Sequence, residues 1–247
     1  MKQKGDTERQ ATLRDRIIKK NRKKNDRYVE KILSAVKTGT RLLDIGCGTG
    51  HIIYELAFSN RNNLYIGLDI SEAMLKIANV NTLGLSEVIF IEADGLQLPF
   101  SDQSFDVAIT RLAEYSIQEV RRILKNKGYF FEYGLGPDAD KEIKEFFPER
   151  IESENFFIPK NITKWQEEVC KNITDAGFII NDIEEHVEKE HFQNEEELID
   201  IIEMVPLVKD FDRKSDGKIV KNLAEKYRDR KGFSTTWHYY IIQAQRL

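Results

Sequence analysis

The sequence predicts an α/β fold, a doubly wound and mostly parallel sheet of seven strands with an N-terminal helix and a helical insertion before the last strand. Three observations predict it. Short apolar runs alternate with segments of helical periodicity, which argues for parallel strands covered on both faces. The first apolar run ends directly in a glycine cluster. Seven short segments read as strands, from Arg41–Ile45 to the aromatic and β-branched Trp237–Ala244, which gives the strand count.

Residues 8–36 read as helical, with Leu13, Ile17, Ile18, Tyr28, Ile32, Leu33 and Val36 at rough helical spacing. Arg41–Ile45 is a short apolar strand, His51–Phe58 a helix and Asn63–Leu68 a second strand. Ser71 can cap a helix through Val80, with Glu72 in the first turn where the helix dipole favours a carboxylate. Strands follow at Glu87–Glu92 and Phe105–Thr110, then a helix at Tyr115–Lys125 and a strand at Tyr129–Tyr133. A helix over Thr163–Asp175 ends at Gly177, and strand Phe178–Ile183 follows. Trp237–Ala244 closes the chain as an aromatic and β-branched strand. Between the last two strands two helices are expected, Glu195–Met204 and Asp216–Arg228. Leu198, Ile199, Ile201 and Ile202 stripe the first, and Ile219, Val220, Leu223 and Tyr227 the second. These stripes can pack on the main core, form a lid, or do both.

At 247 residues the chain suits one large domain with an insertion. The expected division is an N-terminal helical arm at 1–36, a ligand-binding core at 37–134 and an insertion at 184–236. No apolar run approaches the roughly 18 residues that cross a bilayer, and the N-terminus lacks an apolar signal segment. Two cysteines, Cys47 and Cys170, make neither a disulfide framework nor a cysteine-rich metal site. A reducing cytoplasm is the expected location. A net charge of -4 gives no global attraction to nucleic acid. The charge is uneven, however: Arg9 to Arg27 is basic and Glu184 to Glu203 acidic.

Chemistry concentrates in Leu42-Leu43-Asp44-Ile45-Gly46-Cys47-Gly48-Thr49-Gly50. A strand delivers the chain to a tight turn and a helix leaves it. Glycines there let the main chain approach a ligand with no Cβ in the way, and the helix start offers N–H groups to electron-rich atoms. Asp69 follows Gly50 by nineteen positions, a spacing at which a carboxylate can accept from both ribose hydroxyls of an adenosine. The third strand runs into Glu92-Ala93-Asp94-Gly95, where an acidic side chain can accept from the adenine amine. Asp44, inside an apolar strand, can orient the turn or meet the ammonium group of an amino-acid ligand. All of these lie at strand ends, where open α/β sheets bind ligands. The dinucleotide form of the turn is not met, because His51 stands where its third glycine would be.

Together LLDIGCGTG at 42–50, YIGLDIS at 65–71, EADGLQLPFSDQSFDVAI at 92–109 and RRILKNKGYFFEYG at 121–134 resemble the class I S-adenosylmethionine-dependent methyltransferases, small-molecule branch, similar to quinone-biosynthesis C-methyltransferases. The resemblance covers about Thr40 to Tyr133 and implies a Rossmann-like fold whose last strand is antiparallel. It implies S-adenosyl-L-methionine as cofactor. Asp44, Gly46, Cys47, Gly48 and Gly50 would surround its methionine and sugar portion, Asp69 its ribose, and Ile70 its adenine face. Asp94 and Gly95 would hold the adenine amine, and Thr110 or Arg111 would border the methionine end. Two departures stand out. Asn126-Lys127-Gly128 replaces the usual Pro-Gly-Gly turn, and the stretch from Asp106 to Gly128 is several residues short.

Methyl transfer from a sulfonium is an in-line displacement in which the cofactor supplies the reactive group. Positioning alone can contribute roughly 7–11 kcal/mol, and a base is needed only if the nucleophile arrives protonated. No catalytic residue is therefore evident. His51, Glu114 and Tyr115 are candidates; His51 has a plainer role as a helix start and Tyr115 as a packing aromatic, and Arg111 can attract a carboxylate substrate or pair with Glu114. His238 reads as a strand histidine, and His186 and His191 lack metal-ligand spacing. Segments 135–165 and 184–236 are expected to build the acceptor site. Two other readings stand: an RNA or protein methyltransferase docking through its basic arm, or a non-enzymatic adenosine-ligand binding module. The motifs of base-amine and pyrimidine-carbon methyltransferases are absent.

Overall fold

The computed structural model describes residues 8–20, 26–151, 164–205 and 207–247. Two helices, α1 (Glu8–Lys20) and α2 (Asp26–Ala35), precede the first strand. There follow β1 (Arg41–Ile45), α3 (His51–Ser59), β2 (Leu64–Asp69), α4 (Glu72–Asn81), β3 (Val88–Glu92), β4 (Phe105–Arg111), α5 (Ile117–Ile123) and β5 (Leu124–Leu135). The later elements are α6 (Lys141–Phe146), α7 (Trp165–Asp175), β6 (Phe178–Phe192), α8 (Glu195–Met204), α9 (Gly217–Lys226), β7 (Arg228–Asp229) and β8 (Gly232–Arg246). The sheet runs β3-β2-β1-β4-β5-β8-β6, with the two-residue β7 paired to β8. β1 to β5 are parallel neighbours. Of the arm, residues 21–25, with Arg22, Lys23 and Lys24, lie outside the described residues, as does Thr163.

The chain divides into two compact units. The first comprises 1–134, 166–184 and 241–247, and the second 135–165 and 185–240. In the first, β1 is buried from Leu42 to Ile45 because strands flank it on both sides. Leu42, Leu43, Ile45, Tyr65, Leu68, Val107 and Ile109 are all at most 1% exposed. Ser71 caps α4 as its position predicts, accepting from the Met74 N–H at 3.3 Å. The shortened stretch before β5 holds a seven-residue α5, capped by Ser116 through the Glu119 N–H. Lys127 takes a φ of 63° beside Gly128, and the β4–β5 register shifts between Phe105 and Val107.

The second unit has its own apolar centre. Leu198, Ile199 and Ile202 of α8 meet Val220, Leu223 and Ala224 of α9, with Phe192 and Phe233 in the same cluster. The two helical stripes thus pack on each other and build a second core. The insertion is also less helical than expected. β6 continues to Phe192 and β8 begins at Gly232, so both strands run far beyond 178–183 and 237–244. The reason is chemical: Glu184 to His191 carries charge at most positions and shows no apolar alternation, the pattern by which a strand is recognised.

Gly67 of β2 sits where a Cβ would lie 2.5 Å from the Phe90 ring and 2.8 Å from Ile53. Overpacking a site closed by the buried Ile53 and the half-buried Phe90 strains both. Gly67→Ala is expected to lower unfolding stability by about 1–3 kcal/mol in urea titration; a midpoint equal to the parent's contradicts this packing.

Candidate functional site

Parallel register brings five strand ends level. Ile45 stands beside Leu68 and Thr110, Asp69 beside Glu92, Thr110 beside Glu132, and Arg111 beside Tyr133. The turn after β1 needs its glycines: Gly46, Gly48 and Gly50 have φ of 73°, 53° and 74°, a left-handed region costly for other residues. At Gly46 a Cβ would fall 2.1 Å from that of Ala113, whereas nothing lies within 4 Å of the corresponding point on Gly48. One glycine is needed for packing, and the other leaves open space beside the main chain.

The turn's amides have assigned partners. The Gly46 and Cys47 N–H groups donate to the Leu68 carbonyl at 2.7 and 2.9 Å. The Gly48 N–H donates to Asp69 Oδ2 at 2.8 Å, and the Ser71 N–H to Asp69 Oδ1 at 2.9 Å. The N-cap of α3 is Gly50, which supplies no side-chain cap. Its first-turn N–H groups therefore face the turn without a capping side chain.

Electrostatics single out Asp44. It is 2% exposed, and its pKa is pushed up to about 7, first by burial and then by the Asp69 charge, with Arg111 opposing. Arg111 lies 4.9 Å over the Tyr133 ring, and its buried Nε has no hydrogen-bond partner among the described residues. Burial also pushes the Cys47 thiol up, reinforced by Asp44 and Asp69; Cys47 fills space and offers no nucleophile at neutral pH.

Around this centre, Ile70 directly follows β2 and is 40% exposed, an apolar side chain left uncovered at a strand end. Asp94 accepts from the Leu96 N–H at 2.9 Å, which fixes the turn after β3. Gly95 is required where a Cβ would lie 2.6 Å from the Glu114 carbonyl oxygen. The Thr110 hydroxyl donates to the Ile45 carbonyl at 3.2 Å and is buried, so it joins β4 to β1. His51 is half-buried at the start of α3, Glu114 is exposed, and Tyr115 donates to Glu132 at 2.8 Å. Leu112, just past β4, has a φ of 54° and is 40% exposed; strain of this kind gathers at functional sites. His238 is distant in role. Its Nδ1 accepts from the Asp138 N–H at 3.2 Å and its Nε2 meets Glu185 at 2.8 Å, a partnered histidine within the second unit.

Two residues of this edge were not singled out from sequence. Tyr28 of α2 is 1% exposed and donates to the Thr110 carbonyl at 2.9 Å and the Phe131 carbonyl at 3.2 Å. Glu132 of β5 is buried among apolar neighbours. A carboxylate inside Tyr129-Phe130-Phe131-Glu132-Tyr133 is the same signal that marked Asp44. Tyr28 carried none beyond its place in an apolar stripe.

Residues 36–227 match the family model described as a methyltransferase domain. The chain belongs to this methyltransferase family. It is 31% identical over 137 residues to the methyltransferase YcgJ of Bacillus subtilis, covering 51% of this chain and 53% of that one. It is 33% identical over 103 residues to the demethylmenaquinone methyltransferase of Staphylococcus carnosus, covering 38% and 42%. The chain thus spans about half the length of the curated relatives it matches. Among solved structures, YcgJ superposes with a TM-score of 0.63 at 20% identity, covering 88% of this chain and 97% of that one. A geranyl diphosphate methyltransferase superposes with 0.54 at 15%, covering 89% and 77%. At these identities the likeness is one of fold, and it is the Rossmann-like methyltransferase fold expected from the sequence.

The raised pKa of Asp44 makes the stability of the chain depend on pH. Between about pH 4 and 7 the folded chain keeps a proton that the unfolded chain has released. Stability from this group is therefore highest below pH 4, falls as pH rises towards 7 and is flat above. Asp44→Asn lacks that fall. It is expected to be more stable than the parent at pH 8 by about 2–4 kcal/mol, with the difference shrinking towards pH 4. Urea titrations at both pH values measure it, and a difference that does not change with pH contradicts the assignment.

Proposed function

We propose that the chain transfers a methyl group from S-adenosylmethionine to a small-molecule acceptor by in-line displacement. The observation that carries this reading is Asp69, a carboxylate at the end of β2 that also fixes the glycine turn through Gly48. The residues present fit the cofactor. Gly48 leaves the main chain uncovered, Ile70 offers an exposed apolar side chain, and Asp44 is a buried acidic group whose ionised form a cation stabilises. Asp69 would receive the ribose hydroxyls, Ile70 the adenine face, and Asp94 with Gly95 the adenine amine. Gly46, Gly48 and Gly50 would line the methionine and sugar portion, and Asp44 and Arg111 its charged end. The bound cofactor supplies the electrophilic methyl group; the chain orients it and excludes water. No proton transfer is assigned to His51, Glu114 or Tyr115.

The acceptor is a small molecule on this reading. The Staphylococcus carnosus relative is named for demethylmenaquinone, and the geranyl diphosphate methyltransferase structure holds that substrate with sinefungin, a cofactor analogue. A basic arm for RNA has less support. Lys19 pairs with Asp15, and Arg27 and Lys31 pair with Glu184, so these cations already have carboxylate neighbours. Location in the cytoplasm is part of the same proposal. Among the described residues no helix is long and apolar enough to cross a membrane.

Titration calorimetry with S-adenosylhomocysteine tests the reading. Asp69→Ala is expected to weaken binding by about 1.5–3 kcal/mol, because charge-assisted hydrogen bonds are lost. Undiminished affinity in that variant would place the ribose elsewhere. Mass spectrometry of a metabolite extract incubated with S-adenosylmethionine separates an enzyme, which yields a methylated product, from a binder, which yields none.

A further inference from the structure

The Asn81 side chain, at the last position of α4, joins two parts of the first unit that are far apart in sequence. One of its amide hydrogens points to Asp15 Oδ1 at 2.8 Å and the other to the Thr49 carbonyl at 2.8 Å. Its own oxygen accepts from Lys19 Nζ at 2.9 Å, and Lys19 also reaches Asp15 Oδ2 at 2.8 Å. An asparagine amide has two donors and one acceptor group. Here the lysine demands the oxygen, and the carboxylate and carbonyl demand the nitrogen. The amide therefore has one orientation, and the residues that impose it are on α1.

Thr49 is the residue this arrangement holds. It lies between Gly48 and Gly50, both left-handed, in a turn whose glycines have little conformational preference of their own. It is fully buried, and its hydroxyl has no hydrogen-bond partner among the described residues. Its side chain therefore supplies no polar tether, whereas its carbonyl has one in Asn81. A carboxylate on the far side of an amide polarises it and strengthens its other hydrogen bond. Asp15 can thus act on the Thr49 carbonyl without touching it. The apolar seat of α1, through Ala11 and Leu13, keeps the helix in place but does not select the direction of a peptide plane.

We infer that Asn81 and Asp15 are positioning residues for the glycine turn, through which helix α1 sets the affinity of the turn for an adenosyl ligand. The inference rests on the function proposed above. It makes α1 and the ligand energetically coupled, and such coupling is reciprocal. Ligand binding should steady α1, and loosening α1 should weaken the ligand.

Four forms of the full chain test this by calorimetry with S-adenosylhomocysteine: the parent, Asn81→Leu, Asp15→Leu and Asp15→Asn. Asn81→Leu keeps the bulk and loses the donors, and its Kd is expected to rise about 10-fold; Asp15→Leu should give about 3-fold. Asp15→Asn still offers an oxygen to Asn81 but loses the charge and the Lys19 pairing, and its Kd should fall between those of the parent and Asp15→Leu. In turnover assays KM for S-adenosylmethionine should rise with kcat retained at saturation. Hydrogen exchange gives a readout that plain packing would not move: the ligand should slow exchange in 8–20 of the parent and not in Asn81→Leu. Should Asn81→Leu fail to fold, Asp15→Leu carries the same comparison. Folded variants with the parent's Kd, or a lowered Tm with no change in Kd, would overturn the positioning role and leave the proposed function standing. A parent chain that takes up no ligand would overturn both.

Discussion

Asp69 receives the Gly48 N–H on one oxygen and the Ser71 N–H on the other. One carboxylate thereby holds the turn after β1 to the end of β2, and it fixes the residue that caps α4. Asp69 shares this task with the Leu68 carbonyl and with Asn81, because the three glycines of the turn adopt left-handed backbone angles that carry little preference among themselves. A ligand meeting Asp69 joins a network that already exists. Binding then spends little free energy on ordering the loop, which is the basis of preorganised recognition. Charge, turn geometry and helix start are one device.

That device has an electrostatic cost. Asp44 lies buried two strand positions from the same edge, and the negative charge of Asp69 acts on it. Two carboxylates in one desolvated region favour protonation of one of them. Arg111 offsets this only in part. A cation arriving at the strand ends would stabilise both acids in their ionised form. On the proposed reaction the donor carries a sulfonium charge and the product does not, so the same acids would hold the donor more firmly than the product. The surrounding residues agree in character, with an exposed Ile70 and a strained, exposed Leu112 bordering the charged centre.

What was legible in the sequence was local. The β1 strand, its glycine turn and the Ser71 cap depend on residues within a few positions of one another, and Asp69 at the end of β2 on a fixed spacing of nineteen from Gly50, so pattern and turn chemistry reveal them. The long-range partners were not legible. Tyr28 reaches the carbonyls of Thr110 and Phe131 across more than eighty positions, and Asn81 reaches Asp15 across sixty-six. Nothing in periodicity encodes such pairings. The extended β6 and β8 were hidden for a different reason. Glu184 to His191 forms a strand with charged residues on it, and a charged strand lacks the apolar alternation that reveals one. The second core followed from stripes that were visible, but whose packing partner was not.

Polar accounting separates framework from ligand site at this edge. Carbonyls at the ends of parallel strands must find donors. Helices supply them here: Tyr28 serves Thr110 and Phe131, and Asn81 serves Thr49. Those carbonyls belong to the framework: they are already paired, and they act on a ligand only by holding the turn in place. The remainder is different in kind. Asp44 is buried and shifted, and Arg111 Nε is buried with no hydrogen-bond partner among the described residues. Buried polar groups in that state cost stability until something completes them. They lie at or beside the strand ends that the register brings level, so one ligand of amino-acid and adenosyl character can satisfy several at once.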